Sequence, residues 1–271
     1  MRRFLTIPRV HRRLAMAATL CLAALVAACS GDDEEPYVER PVAEIYNEGV
    51  DALEVGEYDQ AADRFDEVER QHPYSPWAVR AQLMAAHAYY QSNEYEDAVA
   101  ALDRFIQLHP AHSDVAYAYY LKGLSHYEQI SDVARDQRKT EDARRAFEEL
   151  ITRYPDSAYS RDAKLKLDLT NDHLAGKQMV IGRYYLNQRH YLAAINRFQI
   201  VIDRYGTTTH VPEALLRLVE AYTALGITDE AQKMAAVLGH NFPGSEWYAD
   251  AYALVETGGP RPGEEPWYKV W

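Results

Sequence analysis

Cysteine is nearly absent: Cys21 and Cys29 are the only two in 271 residues, and none follows Cys29. Cys21 sits within the apolar run Leu14–Ala28, so a chain trimmed after that run keeps one cysteine and no internal disulfide. That run is 15 residues long, short of the roughly 20 a membrane span needs. A Gly-rich phosphate loop and a G-x-S-x-G elbow are missing, so neither chemistry has a recognisable seat. Positive charge is in deficit, with 29 Lys+Arg against 41 Asp+Glu and a net charge of −12. Such a surface repels nucleic-acid phosphates and anionic lipid headgroups; it also serves plain solubility, and composition does not separate the two. Metal ligands do not converge either. Among ten histidines the nearest pair, His109 and His112, flanks Pro110 with no Cys or carboxylate cluster beside it, short of a zinc set. The acidic run 32–35 lacks the spaced oxygens and glycine of a calcium loop. No cofactor, metal site, catalytic residue or nucleic-acid partner is expected, and binding rather than catalysis is the expected role.

What is present begins with a segment of its own. Arg2, Arg3, Arg9, Arg12 and Arg13 precede the apolar run with no acidic residue among them. A basic start, a short apolar core and small residues before a cut site describe an export signal over residues 1–28. Its removal would leave the remainder still more acidic. Val26-Ala27-Ala28-Cys29 resembles a lipobox, which implies cleavage before Cys29 and acylation of its sulfur. Acyl chains there would anchor the amino terminus to a membrane. Residues 29–41, with Asp32-Asp33-Glu34-Glu35-Pro36, read as a charged linker.

From residue 42 the chain repeats itself. Gly56-Glu57-Tyr58-Asp59-Gln60-Ala61 matches Asn93-Glu94-Tyr95-Glu96-Asp97-Ala98, and both Ala61 to Ala98 and Pro73 to Pro110 are steps of 37 residues. A fixed period of this size marks a solenoid. Edited copies run from Gly123 through Ala143 and Phe147 to Pro155, from Gly182 through Ala194 and Phe198 to Gly206, and from Tyr222 through Ala231 to Pro243. These positions resemble the tetratricopeptide pattern. Ala61, Ala98, Ala143, Ala194 and Ala231 give each second helix (B) a small contact point, and Gly49, Ala86, Gly123 and Gly182 do so for each first helix (A). Proline at the repeat end cannot continue a helix, so the chain turns. Each pair exposes an apolar face that only a neighbour covers. The expected fold is all-α, about ten helices in five pairs over residues 42–256, forming a right-handed superhelix. Strands are excluded: Ala116, Tyr119, Tyr120, Gly123, Leu124 and Tyr127 follow a spacing of three to four rather than two.

Two regions depart from the period. Gly123 to Ala143 spans 20 residues where Gly49 to Ala61 spans 12, which places a polar insertion at about residues 129–140. It is expected to face solvent as a loop or helix extension, either as part of a binding face or as a tolerated loop. Residues 257–271 form a Pro/Gly-rich tail expected to be disordered alone; Trp267, Tyr268 and Trp271 make it either a linker or a docking motif.

In such repeats, helix A positions three before, one after and four after the small residue face the concave side. This selects Tyr46, Val50 and Leu53; Leu83, His87 and Tyr90; Tyr120, Leu124 and Tyr127; and Met179, Arg183 and Leu186. Tyr117 lies one turn before Tyr120. Tyr46, His87, Tyr90, Tyr117, Tyr120 and Tyr127 thus form a candidate groove for an extended peptide rich in aromatic side chains. Taken singly, each tyrosine also suits packing between repeats.

The combination of export signal, lipobox cysteine, linker and five repeats resembles the BamD family, lipoproteins of the outer-membrane β-barrel assembly (BAM) machinery, over roughly residues 29–240. Ala88-Tyr89-Tyr90, the run Leu102–Pro110, Tyr119–Leu124, Ala143-Arg144-Arg145-Ala146-Phe147 and Ile195-Asn196-Arg197 carry it. The resemblance implies a protein lipid-anchored at Cys29 on the periplasmic face of the outer membrane. It implies an amino-terminal groove for the carboxy-terminal signal of unfolded outer-membrane proteins, which ends in an aromatic residue. It further implies docking of the carboxy-terminal repeats, through Asn196 and Arg197, on the last periplasmic (POTRA) domain of BamA, beside other BAM lipoproteins. The tail after about residue 256 lies outside the family pattern. A Tol-associated division adaptor is the main alternative, but it lacks a lipobox and carries heptads absent here; a peptidoglycan-modifying solenoid would need a catalytic acid.

Overall fold

The structure, a computed structural model, describes residues 39–258. The export signal, Cys29, most of the linker and the tail bearing Trp267, Tyr268 and Trp271 lie outside the described residues. Eleven α-helices and no strand occupy the described residues: α1 Val42–Val55, α2 Tyr58–Gln71, α3 Pro76–Gln91, α4 Tyr95–Leu108, α5 Val115–Tyr127, α6 Arg138–Arg153, α7 Ser160–Asn187, α8 Tyr191–Arg204, α9 Val211–Ala224, α10 Thr228–Asn241 and α11 Glu246–Thr257. Odd-numbered helices are the A members and even-numbered ones the B members of successive hairpins. Each helix packs on the next, and every A helix from α1 to α9 also touches the following A helix, whereas no two B helices share a comparable contact. The A row is therefore the tighter, inner side of the solenoid.

Turn chemistry explains the hairpins. Gly56, Asn93, Arg189 and Gly226 all adopt positive φ, at 81°, 66°, 61° and 75°, and each stands two residues before a B helix. Glycine and asparagine take that conformation readily, and arginine does not. B helices end at His72, His109, Tyr154, Tyr205 and Phe242, each near φ −130° with ψ between 36° and 57°, outside the helical region. Proline follows four of these five residues and disfavours the α conformation there, which stops the helix. Ser75 and Ser245 cap the next A helices, each hydroxyl accepting a backbone N–H at 3.2 Å.

Within each hairpin the expected small residues are buried, but the partner of the A-helix glycine is a phenylalanine. A Cβ on Gly49, Gly123 or Gly182 would lie 2.8, 2.4 or 2.4 Å from the ring of Phe65, Phe147 or Phe198. The same place is filled by Ala86 with Leu102 in the second hairpin and by Val219 with Ala235 in the fifth, pairs that share a core cluster. Volume moves from one helix to the other while the sum stays nearly constant, as close packing requires.

Four features differ from expectation. The third-hairpin connection runs from Glu128 to Gln137, and Arg138–Thr140 already belong to α6. Thr140 is buried and donates to Gln137 at 3.0 Å rather than facing solvent. Helix α7 is 28 residues long, about 42 Å at 1.5 Å per residue. Buried Ala81, Ala118, Ala163, Ala214 and Ala251 each fall eight residues after the repeat-closing Pro or Gly. Ala163 and Gly182 are 19 apart, where Ala81 and Ala86 are 5 apart, so α7 contains an insertion of 14 residues, close to four turns. The two insertions meet: a Cβ on Gly176 would lie 3.4 Å from Val133, and Lys177 Nζ donates to the carbonyls of Ala134 and Arg135 at 2.8 and 3.2 Å. Finally, α11 is an unforeseen eleventh helix; Ala251 and Leu254 bury against the fifth hairpin and close the core.

Candidate functional site: the inner aromatic face

On the A row, α3, α5 and the start of α7 bring five aromatic side chains together. His87 Nδ1 and the Tyr117 hydroxyl are 2.8 Å apart. The Tyr117 and Tyr120 rings each lie 5.3 Å from that of Tyr159, the Tyr120 pair stacked at 25°. Tyr120 donates to Asp162 Oδ2 at 2.6 Å, which fixes α5 to α7. Tyr90 packs edge-on against Tyr95 at 5.8 Å. Burial lowers the His87 pKa, so its ring is neutral at neutral pH. Burial pushes Tyr117 up to about 12, with Tyr159 and Tyr90 adding to it. Burial likewise raises Tyr120, with the Asp162 hydrogen bond reinforcing the shift. The face is thus uncharged rings with polar tips, all half-buried. Such a surface offers ring contacts and hydroxyl hydrogen bonds to an extended backbone. It holds no poised nucleophile.

The six predicted groove residues divide. His87, Tyr90, Tyr117 and Tyr120 belong to this group. Tyr46 instead packs edge-on against Phe65 of the first hairpin and Trp77 at the start of α3, at 5.3 and 4.9 Å. Tyr127 sits against Phe147 at 6.3 Å, with Lys166 Nζ 4.9 Å above its ring. The fourth-repeat assignment needs correction: Met179 and Leu186 are core residues, 0% and 3% exposed. Counting from Ala163 rather than Gly182 puts Leu165 and Leu169 at the inner positions, and both are exposed. Leu83 is also buried. Tyr159 and Asp162 lie far before Gly182, outside the counted positions, and helical spacing alone gives no signal for them. His109 and His112 both pack on Phe105, each 5.4 Å away, and His109 pairs with Gln82 at 3.1 Å. Among the described residues no group of three or more His, Cys, Asp or Glu converges, and no helix is long and apolar enough to cross a membrane.

The carboxy-terminal half of the A row is closed by charge. Arg183 donates to both Glu213 oxygens at 2.9 Å, and Arg217 bonds Glu213 at 3.3 Å and Glu220 at 2.9 and 3.0 Å. Trp247 of α11 lies 5.9 Å from the Arg217 guanidinium. Glu220 is 3% exposed; burial raises its pKa to about 7 despite Arg217, and Glu213 and Asp250 add repulsion. On α8, Asn196 is exposed and Arg197 half-buried, its Nη1 donating to Gln178 at 3.2 Å.

Fold and inner face define a helical-hairpin solenoid of tetratricopeptide type with an uncharged, ring-rich inner face. The family model described as "Outer membrane lipoprotein" (YfiO) matches residues 38–238. An outer membrane protein assembly factor BamD of Caulobacter vibrioides is 50% identical over 252 residues, covering 92% of this chain and 83% of that protein. That of Rickettsia prowazekii is 47% identical over 242 residues, covering 89% and 96%. The chain belongs to this outer membrane lipoprotein family, whose curated relatives are outer membrane protein assembly factors. A thermophilic TPR protein of Thermus thermophilus superposes with a TM-score of 0.38 at 19% identity, over 79% of this chain and all of that one, too loosely to carry an inference about function.

Proposed function

We propose that this chain is a lipid-anchored scaffold that holds unfolded outer-membrane β-barrel proteins for assembly. The contiguous His87–Tyr117–Tyr159–Tyr120 group on the inner row carries the reading. It is neutral, ring-rich and edged with hydroxyls, which suits a peptide of alternating apolar residues with an aromatic end. The charge-closed carboxy-terminal half leaves the outer side of α8 for a protein partner, and the family resemblance points Asn196 and Arg197 at the POTRA domain of BamA. Other BAM lipoproteins complete the assembly, and acylated Cys29 holds it at the periplasmic face of the outer membrane. The 50% identity to an assembly factor favours this reading over a division adaptor.

The test is binding of a fluorescent barrel carboxy-terminal peptide to the full mature chain. Tyr117→Ala is expected to weaken binding at least tenfold, about 1.4 kcal/mol, with helicity unchanged. Equal affinity for Tyr117→Ala and wild type would remove the aromatic face from the account.

A further inference from the structure

Arg161, Leu165 and Leu169 follow at i, i+4 and i+8 along the first half of α7 and so share one face. All three are exposed, the leucines by 61% and 57%. Relative to Ala163, Leu165 and Leu169 stand where Leu83 and His87 stand relative to Ala81, and Tyr120 and Leu124 relative to Ala118. The stripe therefore continues the inner aromatic face beyond Tyr120. It also ends. One turn or two further along α7, Val133 and His210 close over Gly176, and Lys177 ties the 128–137 loop down.

The charge around the stripe is unusual for a chain of net −12. No carboxylate pairs with Arg161 or Lys164 among the described residues, whereas Lys166 is held by Asp162 at 3.8 Å and by the Tyr127 ring. Asp162, engaged by Tyr120 and Lys166, and exposed Asp168 are the acids on this stretch, against two unpaired cations. An apolar pair with free cations at one end matches a peptide terminus: an apolar last side chain beside an α-carboxylate, for which guanidinium is the strongest protein partner.

We propose that this stripe receives the carboxy-terminal residue of the bound segment, its apolar or aromatic side chain on Leu165 and Leu169 and its free carboxylate at Arg161 and Lys164. The inference rests on the peptide-binding reading of the inner face and adds where the last residue sits and which side chains meet its free carboxylate. The 128–137 loop is then the end wall of the groove.

The experiment compares one short fluorescent peptide, alternating apolar and polar and ending in phenylalanine, as free acid and as carboxy-terminal amide, on the full mature chain. The acid is expected to bind wild type about tenfold more tightly than the amide, since a charge-assisted pair is lost in the amide. Arg161→Glu with Lys164→Glu is expected to abolish that difference without weakening the amide, and Leu169→Asp to weaken both. Equal binding of acid and amide, with Tyr117→Ala still weakening both, overturns this inference and leaves the inner-face reading standing. No binding of either peptide overturns both. Anionic vesicles that bind wild type but not Arg161→Glu, with peptide binding untouched, would assign the stripe to lipid and also overturn it.

Discussion

Gly123 and Phe147 are fitted to each other: a single methyl group on Gly123 would stand 2.4 Å from Cε1 of the Phe147 ring, which is fully buried. Gly123→Ala is accordingly expected to destabilise the fold by about 1–3 kcal/mol through overpacking. The second hairpin, with Ala86 and Leu102 in these places, supplies the remedy. Adding Phe147→Leu to Gly123→Ala should recover at least about 0.5 kcal/mol relative to additivity. Chemical denaturation of the four-member cycle checks this, and strict additivity would contradict the size exchange.

Arg189 holds φ at 61° where the equivalent turns use glycine or asparagine. A left-handed conformation costs a side-chain-bearing residue about 1–2 kcal/mol, and glycine returns part of the gain as unfolded-state entropy. Arg189→Gly should stabilise the chain by roughly 0.5–1 kcal/mol, read as a higher denaturant midpoint. A lower midpoint would mean that the arginine side chain makes contacts that outweigh the strain.

Glu220 sets a pH dependence with a definite sign. Its folded pKa is raised to about 7 from an ordinary 4.5, so the folded state binds a proton that the unfolded state releases across that window. The group's contribution is full below 4.5 and is lost as pH rises through about 7. Glu220→Gln should flatten this part of the stability–pH profile. Burial of His87 acts oppositely, because its lowered pKa costs stability as pH falls below 6.5, and His87→Gln should remove that decline. Superimposable profiles for wild type and Glu220→Gln would contradict the first assignment.

Arg197 bonds Gln178 through one nitrogen and is otherwise half open. Arg197→Glu should abolish co-purification with a BamA periplasmic domain while changing stability by less than about 1 kcal/mol. Undiminished co-purification would take Arg197 out of the partner surface.

Much of the fold was legible because one physical constraint repeats. Ala61, Ala98, Ala143, Ala194 and Ala231 are small for the same reason in every hairpin, and all are buried. The α7 insertion is invisible in the sequence period because 14 residues make close to four turns, which keeps the apolar stripe in phase across Ala163 and Gly182. Counting from Gly182 alone then placed Met179 and Leu186 in the groove and hid Leu165 and Leu169. Tyr159 was not legible in helical spacing at all, since it precedes the first residue of α7. Its ring reaches Tyr117 and Tyr120 only through the tertiary approach of α7 to α5. Volume exchange between Gly and Phe was half visible: the glycines stood out, but their partners lie on another helix.

Photo-crosslinking along both sides of the solenoid tests the central claim most directly. A benzoylphenylalanine at Tyr90, Tyr120 or Leu165 on the inner row should capture a labelled barrel carboxy-terminal peptide, while the same group at exposed Asp63 on α2 or Arg204 on α8 should not. Capture on the B helices with none at the inner positions would contradict the account.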